Sequence, residues 1–243
     1  GLDASLAATG DLAARTAAAT PNVRAVTIDL GWAVEAGASE VQQLALMAAT
    51  GAEYLRAMEA AGLPPAAAAG QIEIVLVLDA DVFAGICTLR AARRVWSAVL
   101  DACGVPEERA ATRVSVRTAQ RMMTRRDPWV NLLRVTAASF AAAVGGADAV
   151  EALPYDLRCG FPSDLGRRMA RNTQLLLAEE SHVGAVLDPA GGAFYPEALT
   201  EEYAERAWAE LARLDGSGGV SGGLADGSIQ QLLAETWEAR RRN

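Results

Sequence analysis

Lysine is absent from this chain. All 22 basic residues are arginine, against 30 acidic ones, for a net charge of -8. A chain so acidic is not expected to bind nucleic acid, because phosphate recognition draws on a basic face. With the abundance of alanine, the missing lysine points to a GC-rich coding sequence. Histidine is nearly absent too: His182 stands alone. A metal site built from several histidines, or a two-histidine proton relay, is therefore excluded within the chain. The three cysteines, Cys87, Cys103 and Cys159, form no Cys-x-x-Cys pair. An odd, widely spaced set fits reduced thiols packed as small hydrophobes rather than a disulfide framework. No apolar run reaches the ~20 residues of a membrane span, and no signal peptide is visible, so a cytoplasmic protein is expected.

What is present is apolar and periodic. Hydrophobic residues make up 51% of 243, enough for a sizeable core. An Ala-rich helix is expected over Leu6–Ala19, broken by Pro21-Asn22. Then strands and helices alternate. Strands are expected at Val23–Leu30, Ile72–Leu78, Thr112–Thr118, Ala147–Leu153 and Ala185–Leu187, from short β-branched apolar runs. Helices are expected at Ser39–Ala61, Val82–Cys103, Pro128–Val144, Ser163–Glu180, Leu199–Leu214 and Leu224–Arg242. Ser39 and Asp127 read as N-caps, and Gly62, Gly104 and Gly145-Gly146 as stops. Residues 216–223 (GSGGVSGG) read as a flexible link. They lack the Gly-Lys-Ser/Thr ending of a phosphate loop. The alternation predicts an α/β fold with a parallel sheet. About five strands are too few for a closed eight-stranded barrel and leave two unpaired edges.

Three stretches are more specific: LRAARRVW (Leu89–Trp96), MTRRDPWVNLLR (Met123–Arg134), and the run from Gly160 to Tyr195 containing RRMARNTQLLLAEESH and LDPAGGAFY. In this order they resemble the barrel domain of methylmalonyl-CoA mutases, and MTRRDPWVN and EESH are most similar to the small, non-catalytic subunit. The weaker GWAVEAGA (Gly31–Ala38) falls where the family ends a segment in Glu-Ala-Gly-Ala. The resemblance implies the later part of a (β/α)8 TIM-type barrel: about five β/α units over 1–243 as one truncated domain, without the first strands. The resemblance covers about Val23 to Asn243; the helical segment expected at 1–22 and the C-terminal helix at 224–243 rest on the residue pattern alone. The cobalamin domain of the family, with its Asp-x-His-x-x-Gly signature, is not matched, so no cofactor is expected in this chain.

The resemblance also assigns pocket positions, and the residues there are altered. Trp32 stands where catalytic mutases carry the histidine that meets the substrate carbonyl. Ser115 replaces a second pocket histidine, and Arg117 a glutamine. Gln71 and Glu73 replace an arginine and a serine that meet the CoA-bearing substrate, and Leu153 an asparagine. Without cobalt chemistry and without polar groups arranged around a thioester carbonyl, mutase activity from this chain alone is not expected.

Two functions follow. One is a non-catalytic mutase-like subunit or barrel fragment, paired with a catalytic mutase chain or with its own copy. The other is a repurposed, cofactor-free enzyme on an acyl thioester or polyketide-like molecule, with an acyl-CoA-like ligand among Trp32, Glu35, Asp79, Ser115 and Arg117. The residues also admit plainer roles: Asp29, Asp79 and Asp81 as loop and helix caps, and Arg117 and Arg121 as ion-pair partners. Arg168, Arg171, Asn172 and Gln174 read as structural, and Trp96, Trp129, Trp208 and Trp237 as core packing.

Overall fold

The computed structural model describes residues 1–20, 22–106 and 112–242. The expected break at Pro21 and the final Asn243 lie outside them. Four parallel strands form one sheet in the order β1-β2-β3-β4: β1 Val26–Asp29, β2 Ile72–Leu78, β3 Arg113–Thr118 and β4 Ala149–Glu151. The helices are α1 Leu2–Ala19, α2 Gly31–Glu35, α3 Glu40–Ala60, α4 Pro65–Gly70, α5 Val82–Ala102, α6 Val130–Val144, α7 Asp164–Leu175, α8 Phe194–Gly216, α9 Gly219–Asp226 and α10 Ser228–Arg242. None of the described helices is long and apolar enough to cross a membrane. The residues divide into two compact units. The first holds 1–75, 92–113 and 204–243, and the second 76–91 and 114–203.

In the first unit, β1 and β2 pair with Val26 opposite Ile72 and Ile28 opposite Ile74, all four buried. Helix α3 starts where Ser39 predicts. The Ser39 hydroxyl accepts from Gln42 N–H at 3.2 Å and the Gln42 side chain returns the bond to Ser39 N–H at 2.8 Å, closing a capping box. Gly51 on α3 leaves room for the Trp96 ring, whose Nε1 donates to Thr112 Oγ1 at 2.7 Å. Gly10 likewise lets α1 approach the Ala57 carbonyl of α3. The C-terminal helix is fastened by Gln42 Nε2 donating to Thr236 Oγ1 at 2.8 Å, and by Arg240 with Glu40 at 3.2 Å.

In the second unit, β3 and β4 pair with Ser115 opposite Ala149 and Arg117 opposite Glu151. Asp148 seats the incoming strand twice. Its N–H donates to Val114 O at 2.8 Å, and its carboxylate accepts from Val114 N–H at 2.7 Å. Helix α6 packs Ala141 and Val144 against Ile86 and Ala190.

Several expectations are corrected. Four strands are present among the described residues, not about five. The segment expected as a strand at Ala185–Leu187 begins as a 3-10 turn over Val183–Ala185, and Leu187 is 96% exposed. Extended backbone without ladder partners on a neighbouring strand has little to hold it. The helix expected over Ser163–Glu180 keeps that extent, capped by Ser163, with its last turn, Leu176–Glu180, π-helical. The strands expected over Val23–Leu30 and Ala147–Leu153 are shorter, and two short helices, α2 and α4, had no signal beyond alanine and proline. The glycines of 216–223 are not a loose link. Gly218 and Gly219 take positive φ at the break between α8 and α9, while Gly223 lies against Ile229 and Gly219 against Glu53. Glycine serves close approach there. Of the tryptophans expected in the core only Trp96 is buried; Trp129, Trp208 and Trp237 are each more than a third exposed.

The packing around Trp96 yields a paired test. Gly51→Ala drives a methyl into an indole fixed by its hydrogen bond, and we expect a net loss of about 2 kcal/mol despite the better helix propensity. Gly70→Ala, where a methyl meets nothing within 4 Å, should stabilise by about 0.5 kcal/mol. Urea unfolding midpoints of the two variants measure both.

Candidate functional site

A parallel strand alternates its side chains between two faces. Here one face is buried: Val26, Ile28, Ile72, Ile74, Val114 and Val116. The opposite face carries Thr27 and Asp29 on β1, Glu73 and Val75 on β2, Arg113, Ser115 and Arg117 on β3, and Ala149 and Glu151 on β4, each at least partly exposed. Of the candidate residues, Glu73 lies on that face in the first unit and Ser115 and Arg117 in the second. Its charges are cross-linked. In the first unit Arg113 Nε lies 3.3 Å from Glu73. In the second, Arg117 Nε donates to Glu151 at 2.7 Å. Just past the end of β2, Arg121 donates to Asp79 at 3.1 Å.

The structure places the remaining candidates as follows. Trp32 and Glu35 lie on α2, past the C-terminal end of β1, and both are exposed, Trp32 by 44%. Asp29 caps the turn there, accepting from Gly31 N–H at 2.8 Å. Gln71 and Glu73 lie at the other end of the strand pair. Gln71 is buried at the end of α4, where its carbonyl accepts from Val26 N–H at 3.1 Å. Within the first unit, then, Trp32 and Glu35 are not brought together with Gln71 and Glu73. In the second unit Asp81 accepts from Ala84 N–H at 3.0 Å, as a helix cap does. Ser115 and Arg117 point to the same face two residues apart. Leu153 is buried with Met123 and Val135, and its N–H donates to Thr118 Oγ1 at 3.0 Å. It is a core residue.

Other polar residues hold more of the second unit than sequence reasoning saw. Asn131 is fully buried in α6. Its Nδ2 donates to Thr124 O at 2.9 Å and Tyr155 O at 2.8 Å, and its Oδ1 accepts from Thr124 N–H at 3.1 Å. An asparagine inside the run Trp129-Val130-Asn131-Leu132-Leu133 was the available signal. Arg90 reaches from α5 to Asp188 and, at 2.7 Å, to Glu197, and so clasps the Asp-Pro-Ala-Gly-Gly turn, in which Asp188 takes a positive φ. The Gly192 N–H and Arg90 hold the Glu197 carboxyl below its usual range. Burial would raise Asp156, but the Ser163 hydroxyl and N–H, with Arg167 nearby, bring it below the ordinary carboxylate value. Among the described residues no cluster of three or more His, Cys, Asp or Glu side chains could hold a metal ion.

These features define a parallel α/β protein whose strand-face charges are mutually paired. The methylmalonyl-CoA mutase family matches over residues 1–243. The methylmalonyl-CoA mutase small subunit of Streptomyces virginiae is 45% identical over 238 residues, 98% of this chain and 38% of that protein. The small subunit of Propionibacterium freudenreichii subsp. shermanii is 39% identical over 96% of this chain and 37% of its own length. A methylmalonyl-CoA mutase of Escherichia coli K12 is 33% identical over 83% of this chain and 28% of its length. The chain belongs to the methylmalonyl-CoA mutase family. It spans a little over a third of the two small subunits named.

The Asp156 contacts predict a pH dependence. A carboxyl whose folded pKa is depressed contributes stability that is present above its unfolded value, about 3.9, and lost as pH falls through the folded one. Stability should therefore drop on acidification below about pH 4, and Ser163→Ala should flatten that drop. The same variant removes the α7 cap at Gly166 N–H, which should cost about 1 kcal/mol at neutral pH. Urea midpoints from neutral to acid pH, wild type against variant, separate the two effects.

Proposed function

We propose that this chain is a non-catalytic portion of a mutase-family subunit, a segment of a (β/α)8 barrel that is completed by further polypeptide and paired with a catalytic mutase chain. The observation that carries this reading is the sheet. Parallel sheets occur almost only with both faces covered, and one face here is charged and only partly buried among the described residues. The exposed apolar residues of the second unit argue the same way: Phe161, Leu187 and Phe194 are each about nine-tenths exposed, as surfaces awaiting a partner are. The span of little more than a third of the small subunits leaves ample family sequence to cover them.

The altered pocket supports a scaffold over a catalyst. Arg117 and Glu73, which a repurposed acyl-thioester enzyme would use to meet its ligand, are each engaged by an opposite charge on the neighbouring strand. The residues do not fit cobalamin. His182 sits in an exposed left-handed turn. In the local sequence Glu-Ser-His-Val-Gly-Ala, glutamate and alanine stand where the family's signature has aspartate and glycine. In this reading the corrinoid and the acyl-CoA are handled elsewhere in a cytoplasmic assembly.

Co-expression of this chain with a catalytic mutase subunit should yield a complex that survives affinity purification and sizing with light scattering. The chain alone, supplied with cobalamin and methylmalonyl-CoA, should show no isomerisation. A chain that stays monomeric and folded beside the catalytic subunit, or that dimerises only with itself, would defeat the pairing. Turnover by the chain alone would defeat the non-catalytic role.

A further inference from the structure

Apart from the sheet, the first unit carries a groove of about 620 Å³ among its helices, within the size range of small-molecule sites. Its apolar wall is made by Leu55 of α3, Val99 of α5 and Leu211 and Trp208 of α8. Three of these are nearly fully buried. Trp208 is 42% exposed, so its indole remains open to a ligand. Arg56 and Asp215 close one side with an ion pair at 2.8 Å. Glu59, one turn along α3 from Arg56, adds a carboxylate that makes no hydrogen bond or ion pair among the described residues. Cys103 also lines the groove, half-buried and reduced.

The charges decide what such a groove would hold. Arg56 is already neutralised by Asp215, so an anion would have to displace that carboxylate while facing Glu59. A cation meets the reverse: an unpaired carboxylate, a second carboxylate beside it, and the negative face of an indole. An ammonium over an aromatic ring is attracted by the ring's negative face, and an apolar body would cover Leu55, Val99 and Leu211. We propose that this groove is a binding site for a small organic cation with an aromatic or branched apolar body. The site is independent of the sheet face and of the pairing proposed above. Its occupation requires neither.

Cys103 gives the site its own reporter, and Cys159, exposed and in the other unit, is the internal control. Burial pushes the Cys103 thiol up, with Arg56 opposing and Glu59 adding, so alkylation is followed at mildly alkaline pH. The probe is benzyltrimethylammonium chloride and the reagent iodoacetamide. The reagent forms a sulfur–carbon bond with loss of iodide and of the thiol proton, and each site is read by peptide mass. The probe should slow alkylation of Cys103 with half-protection at about 1 mM and leave Cys159 unchanged. Glu59→Gln, at an exposed position with no partner to lose, should raise the half-protecting concentration about threefold, the worth of an exposed ion pair. Trp208→Leu should raise it about fivefold by removing the ring. Equal slowing of both cysteines, an unaffected Cys103, or protection that Glu59→Gln leaves intact would each overturn the assignment.

Discussion

A parallel sheet has two faces and two edges, and its backbone and side chains demand that each be covered or paired. Most of this structure is an answer to one half of that demand. Helices supply one cover, and the apolar residues of β1 to β3 alternate with the right phase to meet it. The other face is charged. Isolated charges there would be costly against a low-dielectric cover, and cross-strand pairs such as Arg113 with Glu73 and Arg117 with Glu151 reduce that cost. A face built this way tolerates both water and a partner.

The same demand explains the uneven quality of the two units. In the first, α1, α3, α9 and α10 pack by close approach at glycine: Gly10 on Ala57, Gly37 on Trp237, Gly51 on Trp96 and Gly223 on Ile229. Small residues let backbones approach and bury alanine-rich surfaces that have little area each. In the second unit, polar clasps do the corresponding work. Asn131, Asp148, Arg90 and Asp156 tie loops to strands and helix ends through named hydrogen bonds. Its large apolar side chains at Phe161, Leu187 and Phe194 stay outside.

The role of the strand-end acids follows from local geometry. Asp29 and Asp81 accept from backbone N–H groups two and three residues on, the reach of a short side chain in a turn or at a helix start. Asp79 is held by Arg121.

Period and composition settled several local elements of this protein in advance. The apolar run Ile72–Leu78 is a strand with those ends, Ser39 caps α3, and the family motifs are where the α/β alternation puts them. These are short-range properties, set by side-chain spacing and backbone hydrogen bonding within a few residues. Other outcomes depended on tertiary structure. Ala185–Leu187 has strand-like residues but no ladder, so it does not extend as one. The glycines after Gly216 became packing contacts because α3 and α10 approach them. Trp129 and Trp208, spaced like core residues, remained half outside. Asn131 became a fully buried clasp because two distant carbonyls converge on α6. In each case a side chain's role depended on what another segment brought against it, and no pattern within its own segment carries that information.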